Sequence, residues 1–199
     1  MLAEIITHKR EEVARLTVPR MIRVKPVMPV HSCLREKPLI AEVKKMSPSG
    51  GEINLRCDPV AQAGIYTRAG AGMVSVLTDK KFFGGSIEDL LSVSNAHQIP
   101  ILCKDFIVDE IQIERAYFYG ADMILLIVAA LSDTEIKIFS QCAEKFGMAV
   151  LYEIHEHGEF ERIRHLYPLV VGVNSRDLRT FRIDHDAAAE VMRSLPRHI

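Results

Sequence analysis

The sequence predicts an α/β fold in which buried parallel strands alternate with amphipathic helices. Short apolar runs recur about every 27 residues from Leu39 onward, a spacing typical of successive strand–helix units. These runs are apolar on both faces, as expected for parallel strands covered by helices. The segments between them begin at capping residues and end at glycine or before proline, which are helix boundary signals. Six strand–helix units are therefore predicted.

The composition is that of a globular protein with one substantial core. The chain has 199 residues, 48% of them hydrophobic, and a formal net charge of -1 from 25 basic and 26 acidic residues. Because nucleic acids and anionic membranes are bound by clustered positive charge, neither is an expected partner. The longest apolar run, Met123–Leu131, is too short to span a bilayer, and the N-terminus has no apolar signal segment.

The four cysteines favour a reducing compartment. Their positions show no C-x-x-C spacing, so neither a zinc site nor a disulfide framework is expected. His155 and His157 could share a metal only on an extended segment, and no metal site is predicted there. We expect a cytoplasmic protein with reduced thiols.

The first 38 residues are predicted to form a helical arm and linker, and residues 39–199 the main body. Residues 1–16 place apolar side chains at helical spacing, and prolines punctuate the linker. The charged run from Lys9 to Glu12 is interpreted as a solvated helix face. The predicted strands of the main body are Leu39–Val43, Met73–Leu77, Ile101–Cys103, Met123–Ile127, Val150–Glu153 and Leu169–Val173.

The predicted helices lie between those strands. Asp58-Pro59 begins one with an N-cap and a proline at its first position, and Ser132 with Glu135 forms a capping box. Further helices are expected to start at Ser86 and Asp109 and to cover His157–Leu166 and His185–Leu195.

Polar residues follow the carboxyl ends of several predicted strands. They are Glu42, Lys44 and Lys45 at the first, Lys104 and Asp105 at the third, Glu153 at the fifth, and Asn174, Ser175, Arg176 and Asp177 at the sixth. In a barrel these ends meet at one mouth, whereas a doubly wound sheet would spread them along an edge. Their distribution favours the barrel. Lysines and carboxylates gathered there could transfer protons or hold a substrate carboxylate.

Two loops could contribute to the same mouth. The loop from Ser47 to Gly51 carries hydroxyl groups that could order around an anion, although such loops are usually simple turns. Phe82 and Phe83 precede two glycines after the second strand, and aromatic pairs of this kind more often pack than contact a ligand. Cys103 is expected to point into the core.

Six segments together resemble the indole-3-glycerol phosphate synthase family of tryptophan biosynthesis, in the family's order and over nearly the whole chain. The segments are Ile40-Ala-Glu-Val-Lys-Lys-Met-Ser-Pro-Ser49, Ser75-Val-Leu-Thr-Asp79, Phe82-Phe-Gly-Gly-Ser86, Pro100-Ile-Leu-Cys-Lys-Asp-Phe-Ile107, Gly120-Ala-Asp-Met-Ile-Leu-Leu-Ile-Val128 and Val173-Asn-Ser-Arg-Asp-Leu178. The resemblance implies a (β/α)₈ TIM barrel, with about six of its eight β/α units in this chain. It also implies a carboxy-lyase that closes the indole ring of 1-(2-carboxyphenylamino)-1-deoxyribulose 5-phosphate without a cofactor.

The resemblance assigns roles position by position. Lys104 matches the general acid, Lys44 the cation that holds the anthranilate carboxylate, and Glu42 its carboxylate partner. Glu153 matches a second acid/base for dehydration, and Asn174 a residue that orients substrate hydroxyls. The implied substrate contacts are Ser47 at the phosphate end, Phe83, Phe106 and Leu125 around the anthranilate ring, and Arg176 as a supporting charge.

One departure from the family pattern sets an alternative expectation. The sequence stops at Ile199, where the family's seventh strand would begin, and a full barrel would need about 250 residues. The alternative is an impaired relic or interaction module, which would have little activity alone and would dock another chain through its open barrel edges. Members of the family are monomers, so such association would be a further departure. A third possibility is an isomerase of the same pathway with a phosphate-binding barrel. It fits the lysines of the segments Glu42-Val-Lys44 and Lys104-Asp-Phe106 less well than a synthase does.

Overall fold

The computed structural model describes residues 1–48, 50–176 and 182–196. Its strands are β1 (Ile40–Val43), β2 (Met46–Ser47), β3 (Gly51–Glu52), β4 (Met73–Leu77), β5 (Ile101–Lys104), β6 (Met123–Ile127), β7 (Ala149–Ile154) and β8 (Val170–Val173). Its α-helices are α1 (Leu2–Val13), α2 (Val30–Glu36), α3 (Pro59–Arg68), α4 (Lys80–Phe83), α5 (Ile87–Ala96), α6 (Glu110–Phe118), α7 (Asp133–Lys145), α8 (His157–Ile163) and α9 (His185–Ser194). Short 3₁₀ turns cover Val128–Ala130 and Arg164–Leu166.

The main sheet has six parallel strands in the order β1-β4-β5-β6-β7-β8, which is also their order along the chain. A doubly wound sheet reverses its strand order at a switch point, and these six strands show no reversal. The sequential order is that of a barrel wall, so the sequence-based choice of a (β/α) barrel over a doubly wound sheet is confirmed. The carboxyl ends of all six strands therefore lie at one rim.

Every predicted strand is present, with ends that differ by one residue at most. The helix starts also agree: the Asp58 side chain accepts from the amides of Val60 and Ala61, and Ser132 forms a complete capping box with Glu135. These caps satisfy backbone amides that the helix itself leaves unpaired.

Three local elements were not predicted. Helix α2 lies in the proline-containing linker, where its N-cap residue Pro29 gives no side-chain signal and burial of Val30 fixes it against the sheet. The antiparallel pair β2–β3 occupies the loop after β1, and α4 places one helical turn after β4. Each is too short for hydrophobic periodicity to register.

Helix α1 packs against the end of the sheet that carries the polar residues. Its Ile5 is buried in the same apolar cluster as Leu102, Phe106 and Ile127. Lys9 is also fully buried, so the interpretation of Lys9–Glu12 as a solvated face is wrong at its first residue. Lys9 turns inward because it pairs with two carboxylates, those of the buried Asp79 and the largely buried Asp105.

The linker is fixed to the sheet by a buried ion pair between Arg23 and Asp122. The Arg23 guanidinium donates to Asp122 at 2.6 Å, and the backbone amides of Met28 and Ile101 donate to the same carboxylate. Burial raises the pKa of Asp122 above its usual value, although these donors oppose the rise. None of the helices in the described parts of the chain is long and apolar enough to cross a membrane.

Candidate active site

A cavity of about 250 Å³ opens at the carboxyl-end rim of the sheet. All ten residues singled out from the sequence line it: Glu42, Lys44, Ser47, Phe83, Lys104, Phe106, Leu125, Glu153, Asn174 and Arg176. The structure therefore brings together side chains that lie on, or closely follow, all six strands of the main sheet. Asp177, which the sequence places in the same group, and Ser49, in the loop after β1, lie outside the described residues.

The central charged group is a carboxylate shared by two lysines. Oε1 of Glu42 accepts from Nζ of Lys44 at 2.5 Å, and Oε2 of Glu42 accepts from Nζ of Lys104. Glu42 lies on β1, Lys44 directly follows that strand, and Lys104 is the last residue of β5. One glutamate thus fixes two ammonium groups that come from different strands.

The environment of Glu42 favours its charged form. Burial alone would raise the pKa of Glu42, but the charges and hydrogen bonds of Lys104 and Lys44 outweigh that effect and hold it below its usual value. Glu42 is therefore a carboxylate at neutral pH and a poor proton donor. The protons available in this group are on the two lysines.

A second polar group lies at the ends of β7 and β8. The side-chain amide of Asn174 donates to Oε1 of Glu153 at 3.0 Å, and its carbonyl oxygen accepts from the backbone amide of Arg176. His155 lies near the same oxygen of Glu153, with its Nε2 at 3.9 Å from Oε1. Glu153 is therefore held in place while its side chain lines the cavity.

Aromatic and aliphatic side chains form the apolar wall. The rings of Phe83 and Phe106 lie 5.9 Å apart with planes tilted by 36°, and Leu125 is buried beside them in the same cluster. Phe83 lies on α4, whose first turn is capped by Asp79 through the amide of Phe82. A planar aromatic substrate would fit such a wall.

Of the two polar residues Ser47 and Lys45 after β1, only Ser47 lines the cavity. The Ser47 hydroxyl accepts from the amide of Gly50 at 3.1 Å and lies at the rim, on β2. Lys45 instead pairs with Asp89 of α5 at 2.6 Å and does not line the cavity. The two neighbouring lysines after β1 therefore have different surroundings, and only Lys44 lies in the charged group.

Comparison with known proteins identifies the family of this chain. The family model described as indole-3-glycerol phosphate synthase matches residues 2–199. The chain belongs to the indole-3-glycerol phosphate synthase family. A relative with that name from Bacillus cereus (strain B4264) is 48% identical over 188 residues, which cover 92% of this chain and 74% of the relative. A relative from Exiguobacterium sibiricum is 41% identical, covering 98% of this chain and 77% of the relative.

Solved structures support the fold of this synthase-family chain. An N-acetylmannosamine-6-phosphate 2-epimerase from Clostridium perfringens superposes with a TM-score of 0.62 at 11% identity, covering 88% of this chain and 80% of that one. A 3-hexulose-6-phosphate synthase gives a TM-score of 0.51 at 15% identity, covering 67% of this chain and 62% of that one. At such low identity the likeness concerns the fold alone.

Four further residues line the cavity of this synthase-family chain: Pro48, Leu77, Asp105 and Ile127. Asp105 was visible in the sequence as a polar residue after a strand, but nothing there distinguished it from a loop charge. The two apolar residues end β4 and β6, where a buried strand gives no signal for a ligand contact. In the described residues, no group of three or more His, Cys, Asp or Glu is arranged to hold a metal ion.

Proposed function

We propose that this chain catalyses the indole-3-glycerol phosphate synthase reaction at the cavity described above. The substrate would be 1-(2-carboxyphenylamino)-1-deoxyribulose 5-phosphate, whose ring carbon bearing the carboxylate attacks the C2′ carbonyl carbon. The new carbon–carbon bond closes the five-membered ring, CO₂ leaves, and the former carbonyl oxygen departs as water. The observation that carries the proposal is the Glu42 carboxylate between Lys44 and Lys104, in an aromatic-walled cavity of a chain of this family.

Lys104 is the proposed general acid. Ring closure converts the carbonyl oxygen to a hydroxyl group, so a proton must reach that oxygen as the new bond forms. The Lys104 ammonium lies at the carboxyl end of β5, half-buried in the cavity and held by Glu42. Because Glu42 is ionised, it stabilises the protonated lysine and does not compete as a donor.

Lys44 is proposed to hold the substrate carboxylate. An ammonium group partly removed from water binds an anion more strongly than an exposed one does, since fewer water dipoles screen it. The Lys44 side chain is about one-third exposed and shares Glu42 with Lys104. It would keep the carboxylate near the reacting ring carbon until CO₂ leaves.

Glu153 and Asn174 are proposed to act in the dehydration. Loss of water requires one proton on the departing hydroxyl and removal of another from the ring. Glu153 lines the same cavity as Lys104 and would act as the second proton-transfer group. Asn174 fixes one oxygen of Glu153 and would orient substrate hydroxyls with its remaining hydrogen-bonding capacity.

The remaining cavity residues are proposed to bind the substrate. Phe83, Phe106 and Leu125 would surround the anthranilate ring, because they form the apolar wall. Ser47 at the rim would contact the phosphate end, and Arg176 would add positive charge there. A cytoplasmic location belongs to the same proposal, since phosphorylated intermediates are retained inside cells and the four cysteines are free.

The test compares three alanine variants with the wild-type chain in a fluorescence assay for indole-3-glycerol phosphate. We expect turnover by the wild-type chain, a loss of about 100-fold or more in kcat for Lys104→Ala, and a large rise in KM for Lys44→Ala. Lys45→Ala is the matched control, because Lys45 follows the same strand and pairs outside the cavity. The proposal would be contradicted if the wild-type chain showed no turnover although its circular dichroism spectrum was that of a folded protein. It would also be contradicted if Lys44→Ala and Lys45→Ala raised KM equally.

A further inference from the structure

The Lys9 ammonium lies at the centre of a buried ion cluster between α1 and the sheet. Its Nζ is 2.8 Å from Oδ2 of Asp79, 2.9 Å from Oδ1 of Asp105 and 3.2 Å from Oε2 of Glu12. The side chains of Lys9 and Asp79 are fully buried, and that of Asp105 is 14% exposed. One cation from α1 therefore balances carboxylates that follow β4 and β5.

Asp105 connects this cluster to the cavity. Its carboxylate accepts from the Thr78 hydroxyl at 2.7 Å and from the backbone amide of Phe106 at 2.7 Å, in addition to its contact with Lys9. It directly follows Lys104 and precedes Phe106, and all three line the cavity. The orientation of Asp105 therefore constrains the backbone from which both neighbouring side chains project.

Asp79 anchors the ammonium from the other side. Its Oδ1 caps α4, the turn that carries Phe83, by accepting from the amide of Phe82, and its backbone oxygen accepts from the amide of Gly85. Lys9 thus lies between two segments that each place a side chain in the cavity, although Lys9 itself does not line it.

We propose that Lys9 is a positioning residue for the reaction: through Asp105 it fixes the Lys104–Phe106 segment so that the Lys104 ammonium faces the cavity beside Glu42. This role rests on the proposed function of Lys104.

Removal of the Lys9 charge would change the electrostatics beside Lys104. Two carboxylates with little access to water would lose their common cation, and an unpaired buried charge is strongly unfavourable. Asp105 is the carboxylate next to Lys104 in the chain, and once released it would compete with Glu42 for that ammonium. Lys9 supplies its charge throughout the working pH range: burial alone would lower its pKa, but the carboxylates of Asp105 and Asp79 raise it above its ordinary value.

Docking of α1 alone does not account for this arrangement. Buried ion pairs contribute little net stability compared with apolar packing, so attachment of a helix does not require one. Helix α1 already has the buried Ile5 and an exposed ion pair from Arg10 to Glu135 at 2.8 Å. The Arg10 pair leads to α7 rather than to the cavity, which makes Arg10 the matched control.

The test measures kcat and KM for Lys9→Met and Arg10→Met, each well below its own unfolding temperature. We expect Lys9→Met to lower kcat about tenfold or more with KM changed less than about threefold, and Arg10→Met to stay within about twofold of wild type. Equal kcat values for the two folded variants would overturn the proposal. If Lys9→Met does not fold, Lys9→Met/Asp79→Asn removes one unpaired charge, and a kcat close to wild type in that variant would equally overturn it.

A second readout is independent of turnover. The rate of reductive methylation of Lys104, followed by peptide mass spectrometry, reports the surroundings of its amine in any folded variant. We expect this rate to change about threefold or more in Lys9→Met and to stay near wild type in Arg10→Met, because Lys9 contacts Asp105 whereas Arg10 pairs with Glu135. If wild type shows no turnover, the proposed function fails, and the methylation rates still decide whether Lys9 positions Lys104; unchanged rates would overturn that.

Discussion

The side-chain amide of Asn174 donates to Oε1 of Glu153 at 3.0 Å, and this bond joins the carboxyl ends of β7 and β8 across the cavity rim. A hydrogen bond to a charged group contributes about 1.5–3 kcal/mol, so its loss has a measurable effect on a reaction that uses the carboxylate.

We expect Asn174→Ala to lower kcat/KM about 10- to 100-fold, because Glu153 loses its donor and substrate hydroxyls lose theirs. The measurement is steady-state formation of indole-3-glycerol phosphate. Asn95→Ala, at an exposed position on α5, should match wild type. An Asn174→Ala enzyme as active as Asn95→Ala would show that the bond has no role in turnover.

Gly85 is required for the turn that places Phe83. A Cβ atom at Gly85 would lie 1.9 Å from the carbonyl oxygen of Leu77, a backbone atom that cannot move aside without disturbing β4. We expect Gly85→Ala to lower the free energy of unfolding by about 1–3 kcal/mol and to raise KM through displacement of Phe83. Gly158→Ala is the control, since the nearest atom to its Cβ would be 4.0 Å away, and equal stability of the two variants would contradict the prediction.

Asp122 is expected to be one of the most sensitive stability positions. Asp122→Ala leaves the buried Arg23 without its carboxylate partner and removes the acceptor of two backbone amides. We expect the free energy of unfolding, measured in urea, to fall by about 3–5 kcal/mol. Asp133→Ala removes an exposed partner of Arg162, and that change should cost less than about 1 kcal/mol. Similar losses in both variants would mean that the linker is not fixed by this pair.

The charged group around Glu42 predicts a specific dependence of stability on pH. Because the folded-state pKa of Glu42 is lower than its unfolded value, ionised Glu42 stabilises the fold above the ordinary glutamate pKa of about 4.3. This contribution disappears as the pH falls from there through the folded-state pKa. In urea unfolding at a series of pH values, Glu42→Gln should lose less stability than wild type between about pH 6 and pH 3. The exposed Glu52→Gln variant should follow wild type, and a Glu42→Gln curve parallel to both would refute the assignment.

The sequence predicted the site best where a polar residue directly follows a buried apolar strand. Strand ends such as Lys104 and Glu153 were predictable, because a polar residue after a buried apolar run is conspicuous and parallel strands bring such residues to one rim. Lys9 was not predictable, because its surroundings in the sequence are charged and its buried partners are distant in the chain. Helix α2 was hidden for a related reason: tertiary packing rather than a capping signal fixes it. Features that depend on contacts between distant segments are those that local patterns miss.

The buried cluster around Lys9 also has a consequence for the order of assembly. Burial of the Lys9 ammonium is unfavourable until the segments after β4 and β5 lie side by side, because each segment supplies one of the carboxylates that pair with it. Contacts of such long sequence separation form late, because chain closure must precede them. Helix α1 is therefore expected to dock last in folding, after β4 and β5 have reached their final register.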